Sequence, residues 1–462
     1  MFEKVLIANR GEIAIRVIRA LRELGIKSVA VYSTADKDAQ HVKEADEAIC
    51  IGGPQPADSY LNMENIVSAA LLTGAQAIHP GYGFLSESAE FAQLCTDCQL
   101  KFIGPSAKTI TLMGNKANAR ETMRQNHVPV IPGSKGFVKD AETALVIANQ
   151  VGFPVMLKAV SGGGGKGIRQ VDQAEDLTAA FLAAQKEAKL SFGDDRMYLE
   201  KIISPAKHIE VQILADQSGH VVALPERDCS MQRNHQKVIE ETPCSQITAE
   251  ERTYLQTIAV KAIKAIKYEN VGTIEFLMDP EHHFYFMEMN TRIQVEHSIT
   301  EEVAEFDLVK AQLEIAAGQD LKITQDQVKV HGAAIEARIN AEDPVKNFRP
   351  QAGVIKQMAL PGGLGIRIES GVNSGDTVSP FYDSMIIKII AHADNRNVAI
   401  NRLLDALTEF NLQGLTTNRN FLLKLLQDST FNRGDYLITY LDEEFLPQYI
   451  KDNQSKEEVK YD

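Results

Sequence analysis

Over residues 1–113 short apolar runs alternate with longer stretches of helical spacing. KVLIANR leads into EIAIRVIRALRELG, where apolar residues recur every three or four positions and Gly25 marks a stop. SVAVYS, AQAIHP and LKFIGP repeat the strand pattern. Strands and helices alternating at this spacing predict a doubly wound parallel sheet with helices on both faces. From residue 114 the pattern changes. KANARETMRQNHVPVIPGS reads as a helix closed by a Pro- and Gly-containing connector. VMLKAV, a glycine run, IRQV, the Ala-rich helix AEDLTAAFLAAQKEAKLSF and the strand MYLEKII then make a small module over about 131–203, placed like a lid. Residues 204–446 are strand-rich, with HIEVQILAD, VVALPERD, TIEFLMD, HFYFMEM and AAIEARIN, then PGGLGIRIES and the helical VAINRLLDALTEFN. The charged tail 447–462 ends in DNQSKEEVKYD, which is short of large apolar groups and predicts disorder. The expected blocks are 1–113, 114–203, 204–446 and the tail.

One segment carries most of the chemistry, FMEMNTRIQVEH at 286–297. Alternate side chains of a strand share a face, so Glu288 and Asn290 should point together and Met287 and Met289 into the core. TIEFLM upstream ends at Asp279 and Pro280, and a hairpin near Glu281 and His282 would set Glu275 opposite Glu288. Two carboxylates and an amide oxygen form a hard site, the preference of Mg²⁺ (or Mn²⁺) bound with a nucleotide phosphate. Arg292, Gln294 and Glu296 continue the alternation, lining one wall with a cation, an amide and a carboxylate. A solvated acidic edge strand is the competing reading. The apolar flanks Phe284, Phe286, Ile293 and Val295 favour burial, and buried charges are rarely kept without a partner or a ligand.

Bulk numbers narrow the class. The chain has 462 residues, 44% hydrophobic and 24% charged, as in soluble globular proteins of about three domains. A net charge of −14 excludes a non-specific nucleic-acid binder, which needs a basic surface. No run approaches the ~20 apolar residues of a membrane span. MFEKVLIANRGE reads as a first strand rather than a signal peptide. Five scattered cysteines predict reduced thiols in a cytosol, and Cys95 with Cys98 lacks the second pair a zinc site needs. The first turn carries only Gly11, so the G-x-G-x-x-G of a dinucleotide site is missing. Gly162 to Gly165, flanked by Lys158 and Lys166, offer successive backbone N–H groups that can close over phosphates.

EMNTRIQVEH closely resembles the signature of the biotin carboxylases, ATP-grasp enzymes. IANRGEIAIR (7–16), HPGYGFLSE (79–87), GNK (114–116), the glycine run, ERDCSMQRNHQK (226–237) and ARINAED (337–343) follow in that family's order, covering residues 2 to about 445. The resemblance implies an α/β and α+β ATP-grasp fold with an N-terminal doubly wound domain, a mobile glycine-loop lid and a C-terminal mixed-sheet domain. It implies phosphate contacts from Lys116, Lys158, Gly164 and Gly165. Glu200, Lys201 and Ile203 would meet the adenine, and His208, Gln232 and His235 the ribose and phosphates, with metal on Glu275, Glu288 and Asn290. The same likeness assigns Lys237, Arg292, Gln294 and the Val295 backbone to bicarbonate and Tyr82 to biotin. Arg338 would meet the developing biotin enolate. Glu296, read as the only carboxylate among cations in the signature, is expected to be the general base. The expected reaction is ATP-driven carboxylation of biotin on a separate carrier protein, in the cytoplasm, as the first half-reaction of acetyl-CoA carboxylase. No A-M-K-M biotinylation site and no room for a carboxyltransferase are present, so both functions are expected on other subunits. Arg19, Glu23 and Arg367 match a homodimer interface of the family, and Leu364 replaces a commoner aromatic. A different ATP-grasp carboxylate ligase would share the metal residues without needing R-I-Q-V-E-H or Arg338.

Overall fold

The structure is a computed structural model describing residues 1–160 and 167–458. It divides into two compact units, Met1–Thr111 with Lys207–Ile274 and Asn290–Asp462, and Leu112–Ala206 with Glu275–Met289.

The first unit opens with parallel strands β1 (Lys4–Ile7), β2 (Lys27–Ser33), β3 (Glu47–Gly52), β4 (Ala77–His79) and β5 (Lys101–Phe102), in the order β3-β2-β1-β4-β5. The parallel sheet matches the expectation. Edge strand β3 was not anticipated, because EAICIG is largely exposed and lacks the apolar run of its neighbours. The helix Gly11–Glu23 buries Ile13, Ala14, Val17, Ile18 and Leu21, the stripe its 3.6-residue spacing creates. The order reverses between β1 and β4, where open α/β sheets form a crevice at their carboxyl ends. Asn9 spans that point: its amide donates to the Pro80 and Tyr82 carbonyls, each at 2.7 Å. Gly81 has φ +63°, and a Cβ there would come within 2.8 Å of the Asn9 amide nitrogen. Only glycine lets this turn hold Tyr82 in place.

In the second unit β6 (Val155–Ala159) pairs antiparallel with both β7 (Ile168–Val171) and β8 (Met197–Lys201). Val155, Leu157, Leu177, Phe181 and Leu199 form its core under the helices Ala141–Val151 and Ala174–Phe192. Gly164 and Gly165, with the rest of the glycine run and Lys166, lie outside the described residues.

The larger sheet takes β9 (Lys207–Ala215), β10 (Val221–Arg233), β11 (Gln236–Thr242), β12 (Asn270–Met278), β13 (Phe284–Asn290) and β14 (Ala333–Asn340). Met385–Ala393 and Ile366–Ser370 complete it, in the order β13-β12-β9-β10-β11-β14, Met385–Ala393, Ile366–Ser370. Pairings from β9 to Ile366–Ser370 are antiparallel. β11 and the last two strands escaped the sequence pattern because buried charges interrupt their apolar runs. Glu240 and Lys388, at 0% exposure, are examples.

Two expectations are corrected. The helix Leu446–Glu458 runs through most of the tail expected to be disordered, anchored where Tyr449 packs on Phe421 at 5.1 Å. On β13 Met289 is buried as expected, but Met287 is only half-buried.

Candidate active site

The signature segment leaves β13 at Asn290 and does not continue as a strand. Residues 291–296 form bends and a turn, and Glu296 is the N-cap residue of the helix His297–Ala304. The expected alternation of Arg292, Gln294 and Glu296 on one strand face is therefore wrong. Helix initiation at His297 overrides it, and the residues are distributed by the turn. Glu296, 2% exposed, turns into the buried interior. Gln294 accepts from Arg227 Nη2 at 2.7 Å. Arg292 stays nearer the surface, pairing with Glu87 at 3.0 Å and donating to Asn290 Oδ1 at 2.9 Å.

Glu296 sits between two cations. One carboxylate oxygen takes Lys237 Nζ and the other Arg338 Nη2 at 2.9 Å. Glu296 is not the only carboxylate so placed. Glu210, on β9, takes Lys237 at 2.6 Å and also Arg227, which is fully buried and further held by Gln212 and Thr300. Arg338 is shared between Glu296 and Glu240. Asp343, five residues further along the chain, takes Lys346 at 3.2 Å instead.

Behind Arg338, Glu240 on β11 lies directly across from Glu336 on β14, both at 0% exposure. Burial and the like charge of its neighbours push Glu240 up to about 7 and Glu336 up to about 8. Glu296 goes the other way. Burial opposes its charge, but Lys237, Arg338 and Arg227 outweigh that and hold it well below the usual carboxylate range. The site thus separates its acids into one firmly charged carboxylate and a pair that retains a proton near neutrality.

Tyr82 donates its hydroxyl to Glu12, and burial followed by the Glu12 charge raises the phenol far above its ordinary value. His208 and Gln232 are buried neighbours on β9 and β10, with Gln232 Nε2 3.5 Å from His208 Nδ1. His235 is exposed at the tip of the β10–β11 hairpin, with φ +64°.

The second unit holds a separate polar cluster. Asn115 caps the helix Lys116–Gln125, and Lys116 Nζ reaches Glu288 at 2.8 Å. Burial opposes the Lys116 charge, yet Glu288, Glu200 and Glu275 together raise its pKa. Glu200 is matched by cations of its own, which leaves Glu275 and Glu288 facing one ammonium, and such oxygen donors fit a hard divalent cation. Glu200 takes Lys158 at 2.5 Å and Arg120 at 3.2 Å, which ties the middle strand of the small sheet to β8 and to the helix Lys116–Gln125. Lys201 donates from its backbone to Pro132 at 2.8 Å and from its side chain to Phe153 at 2.5 Å. Ile203 follows β8 and is half-buried.

Three family models cover the chain in succession: "Biotin carboxylase, N-terminal domain" over 1–110, "Carbamoyl-phosphate synthase L chain, ATP binding domain" over 115–324 and "Biotin carboxylase C-terminal domain" over 336–443. Biotin carboxylase 1 of Bacillus subtilis is 52% identical over 443 residues, 96% of this chain and 98% of the relative. The chain belongs to the biotin carboxylases.

Members of this family are ATP-dependent ligases of ATP-grasp fold. Solved structures agree over most of the chain. The biotin carboxylase domain dimer of Hydrogenobacter thermophilus 2-oxoglutarate carboxylase, in complex with MgADP, ADP and bicarbonate, superposes with a TM-score of 0.90 at 48% identity, over 96% of this chain and 98% of that one. The biotin carboxylase complex with β,γ-ATP from Campylobacter jejuni gives 0.91 at 45% identity, over 96% and 99%. Sequence reasoning found the motif residues but missed Glu210, Arg227, Glu240, Glu336 and Lys388. One signal was available: charged side chains at alternating positions inside otherwise apolar strands, as in HIEVQILAD and AAIEARIN.

Proposed function

We propose that this biotin carboxylase acts on biotin attached to a separate carrier protein and serves acetyl-CoA carboxylase, working in the cytoplasm beside carboxyltransferase subunits. ATP and bicarbonate are its co-substrates, ADP and phosphate its products. The reading rests on one observation above the others: a buried carboxylate, Glu296, shared between Lys237 and Arg338. A ligase joining a carboxylate to an amine has no need of a second fixed cation, Arg338, held in reserve by its own buried acids.

Glu296 accepts the bicarbonate proton. A carboxylate clamped by two cations is a weak base, so bicarbonate must first draw Lys237 toward its own oxygens. As Lys237 shifts, Glu296 loses that stabiliser and its basicity rises at the moment a proton has to be taken. Arg292 and the Val295 N–H complete the bicarbonate seat, with Gln294 oriented by Arg227. Lys116, Lys158, Gly164 and Gly165 bind nucleotide phosphates, and Glu200, Lys201 and Ile203 border the adenine. His208, Gln232 and His235 serve the ribose and phosphates. Glu275, Glu288 and Asn290 would hold Mg²⁺ or Mn²⁺, which when bound neutralises phosphate charge. Carboxyphosphate formed in the site decomposes to CO₂ and phosphate, and phosphate takes the biotin N1′ proton. Arg338, a fixed guanidinium, stabilises the enolate that attacks CO₂, with Tyr82 beside biotin.

Phosphate release that requires both bicarbonate and biotin tests the reaction. Adding a biotinylated carrier and carboxyltransferase, then offering acetyl-CoA, other acyl-CoAs and 2-oxo acids in turn, tests the acceptor. Malonyl-CoA as the main product is expected. Phosphate release indifferent to biotin would overturn the function, and transfer to another acceptor would overturn only the acetyl-CoA assignment.

A further inference from the structure

Lys388 is a lysine with no exposed surface in the middle of the strand Met385–Ala393, directly across from Arg338. A fully buried ammonium persists only when several partners replace its water. Here the partners come from four other segments of the first unit. Its Nζ donates to the Val295 carbonyl at 2.5 Å and to Ser298 Oγ at 3.1 Å. It lies 3.4 Å from Glu12 Oε1 and 3.9 Å from Glu336 Oε2. That same Glu12 oxygen receives the Tyr82 hydroxyl.

One charge therefore reaches both ends of the carboxylation chemistry. Through Val295 it fixes the turn that carries Gln294 and Glu296 into the helix His297–Ala304. Through Glu12 it fixes Tyr82, whose loop is already held by Asn9. We propose that Lys388 is a positioning residue for this reaction, holding the Val295 turn on the bicarbonate side and the Glu12–Tyr82 pair on the biotin side in register. It touches neither substrate. The assignment rests on the biotin carboxylase reaction proposed above, and it extends that reaction's machinery to a strand outside the signature motifs.

The test compares Lys388→Met, which keeps length and packing but drops the charge, with Glu12→Gln and the double variant Lys388→Met/Glu12→Gln. The double variant carries no new unpaired charge at Glu12, so it separates misfolding from mispositioning. KM for bicarbonate, biotin and ATP are measured separately on protein whose circular dichroism matches the parent. Lys388→Met should raise KM for bicarbonate and for biotin by tenfold or more and leave KM for ATP within twofold. Glu12→Gln should raise KM for biotin alone. The double variant should fold like the parent yet keep the bicarbonate defect. A rise of all three KM values together, or a double variant with normal bicarbonate KM, would reduce Lys388 to a structural ion pair and overturn the proposal. A parent enzyme without biotin-dependent ATP cleavage would instead overturn the reaction itself.

Discussion

Replacing Arg338 by Gln removes one guanidinium from two buried carboxylates, Glu240 and Glu296. Losing one partner of a buried ion pair typically costs about 3–5 kcal/mol. The cost here falls toward the lower end, because Glu240, already pushed up to about 7, takes a proton when its cation is removed. The variant should therefore fold, and it should lose less stability at pH 6 than at pH 8. Catalysis responds differently in the two half-reactions. An oxyanion partner is worth on the order of 10²–10³ in rate, so biotin carboxylation should drop by that factor. In the proposed reaction carboxyphosphate formation uses Glu296, which keeps Lys237 and becomes a stronger base without Arg338. Bicarbonate-dependent ATP cleavage should persist. Phosphate released and biotin carboxylated, measured in the same reaction, should pass from near parity in the parent to an excess of phosphate on the order of 10² or more. Arg338→Lys should recover part of the coupling, since charge returns without the fork. Equal loss of both activities in Arg338→Gln would refute the enolate role and make Arg338 a bicarbonate residue.

Four further outcomes can be measured. Glu288→Lys should abolish turnover while leaving circular dichroism unchanged, and turnover within tenfold of the parent at saturating Mg²⁺ would remove Glu288 from the metal set. Lys237→Met takes from Glu296 its nearest cation, so the acidic limb of the bicarbonate-dependent rate profile should move to higher pH; an unmoved limb would show that Lys237 does not set that proton affinity. Glu240 and Glu336 bind protons more tightly folded than unfolded, so their contribution to stability falls as pH rises from about 4.5 toward about 8. His41 and His79, held to about 4 by burial, act oppositely below 6.5, so the carboxylate effect is read between pH 6.5 and 8. Urea midpoints over that range should decline in the parent and flatten in Glu336→Gln, and parallel slopes would place the proton elsewhere. The protein should sediment as a homodimer that dissociates on dilution, because Leu364 is 86% exposed where an aromatic ring would bury more surface. Monomer alone at high micromolar concentration would contradict this.

The first sheet was legible because each of its inner strands is an uninterrupted apolar run between helices of clear period. Glu296, Arg338 and Lys237 were legible because they sit in contiguous motifs. Their partners were not. Glu240 and Glu336 look like polar alternation on a half-wet strand, and only the pairing of β11 with β14 sets them face to face under complete burial. Lys388 in MIIKIIAHA reads as a lone interruption of an apolar strand until Val295 and Glu12 close around it. Arg292, Gln294 and Glu296 invited a period-two reading that failed because a helix begins one residue later.

Glu296 occupying both Lys237 and Arg338 also governs what the resting enzyme will bind. A carboxylate on the same chain is always present at high local concentration, so any incoming anion has to displace a tethered rival. Chloride or sulfate gains little by exchanging with a buried, doubly paired group. In the proposed reaction bicarbonate has a compensation they lack, since it would deliver a proton to the carboxylate it displaces and leave that rival neutral. Discrimination among anions then comes from the acidity of the ligand as much as from its shape, and the idle site stays closed to ions that cannot give up a proton.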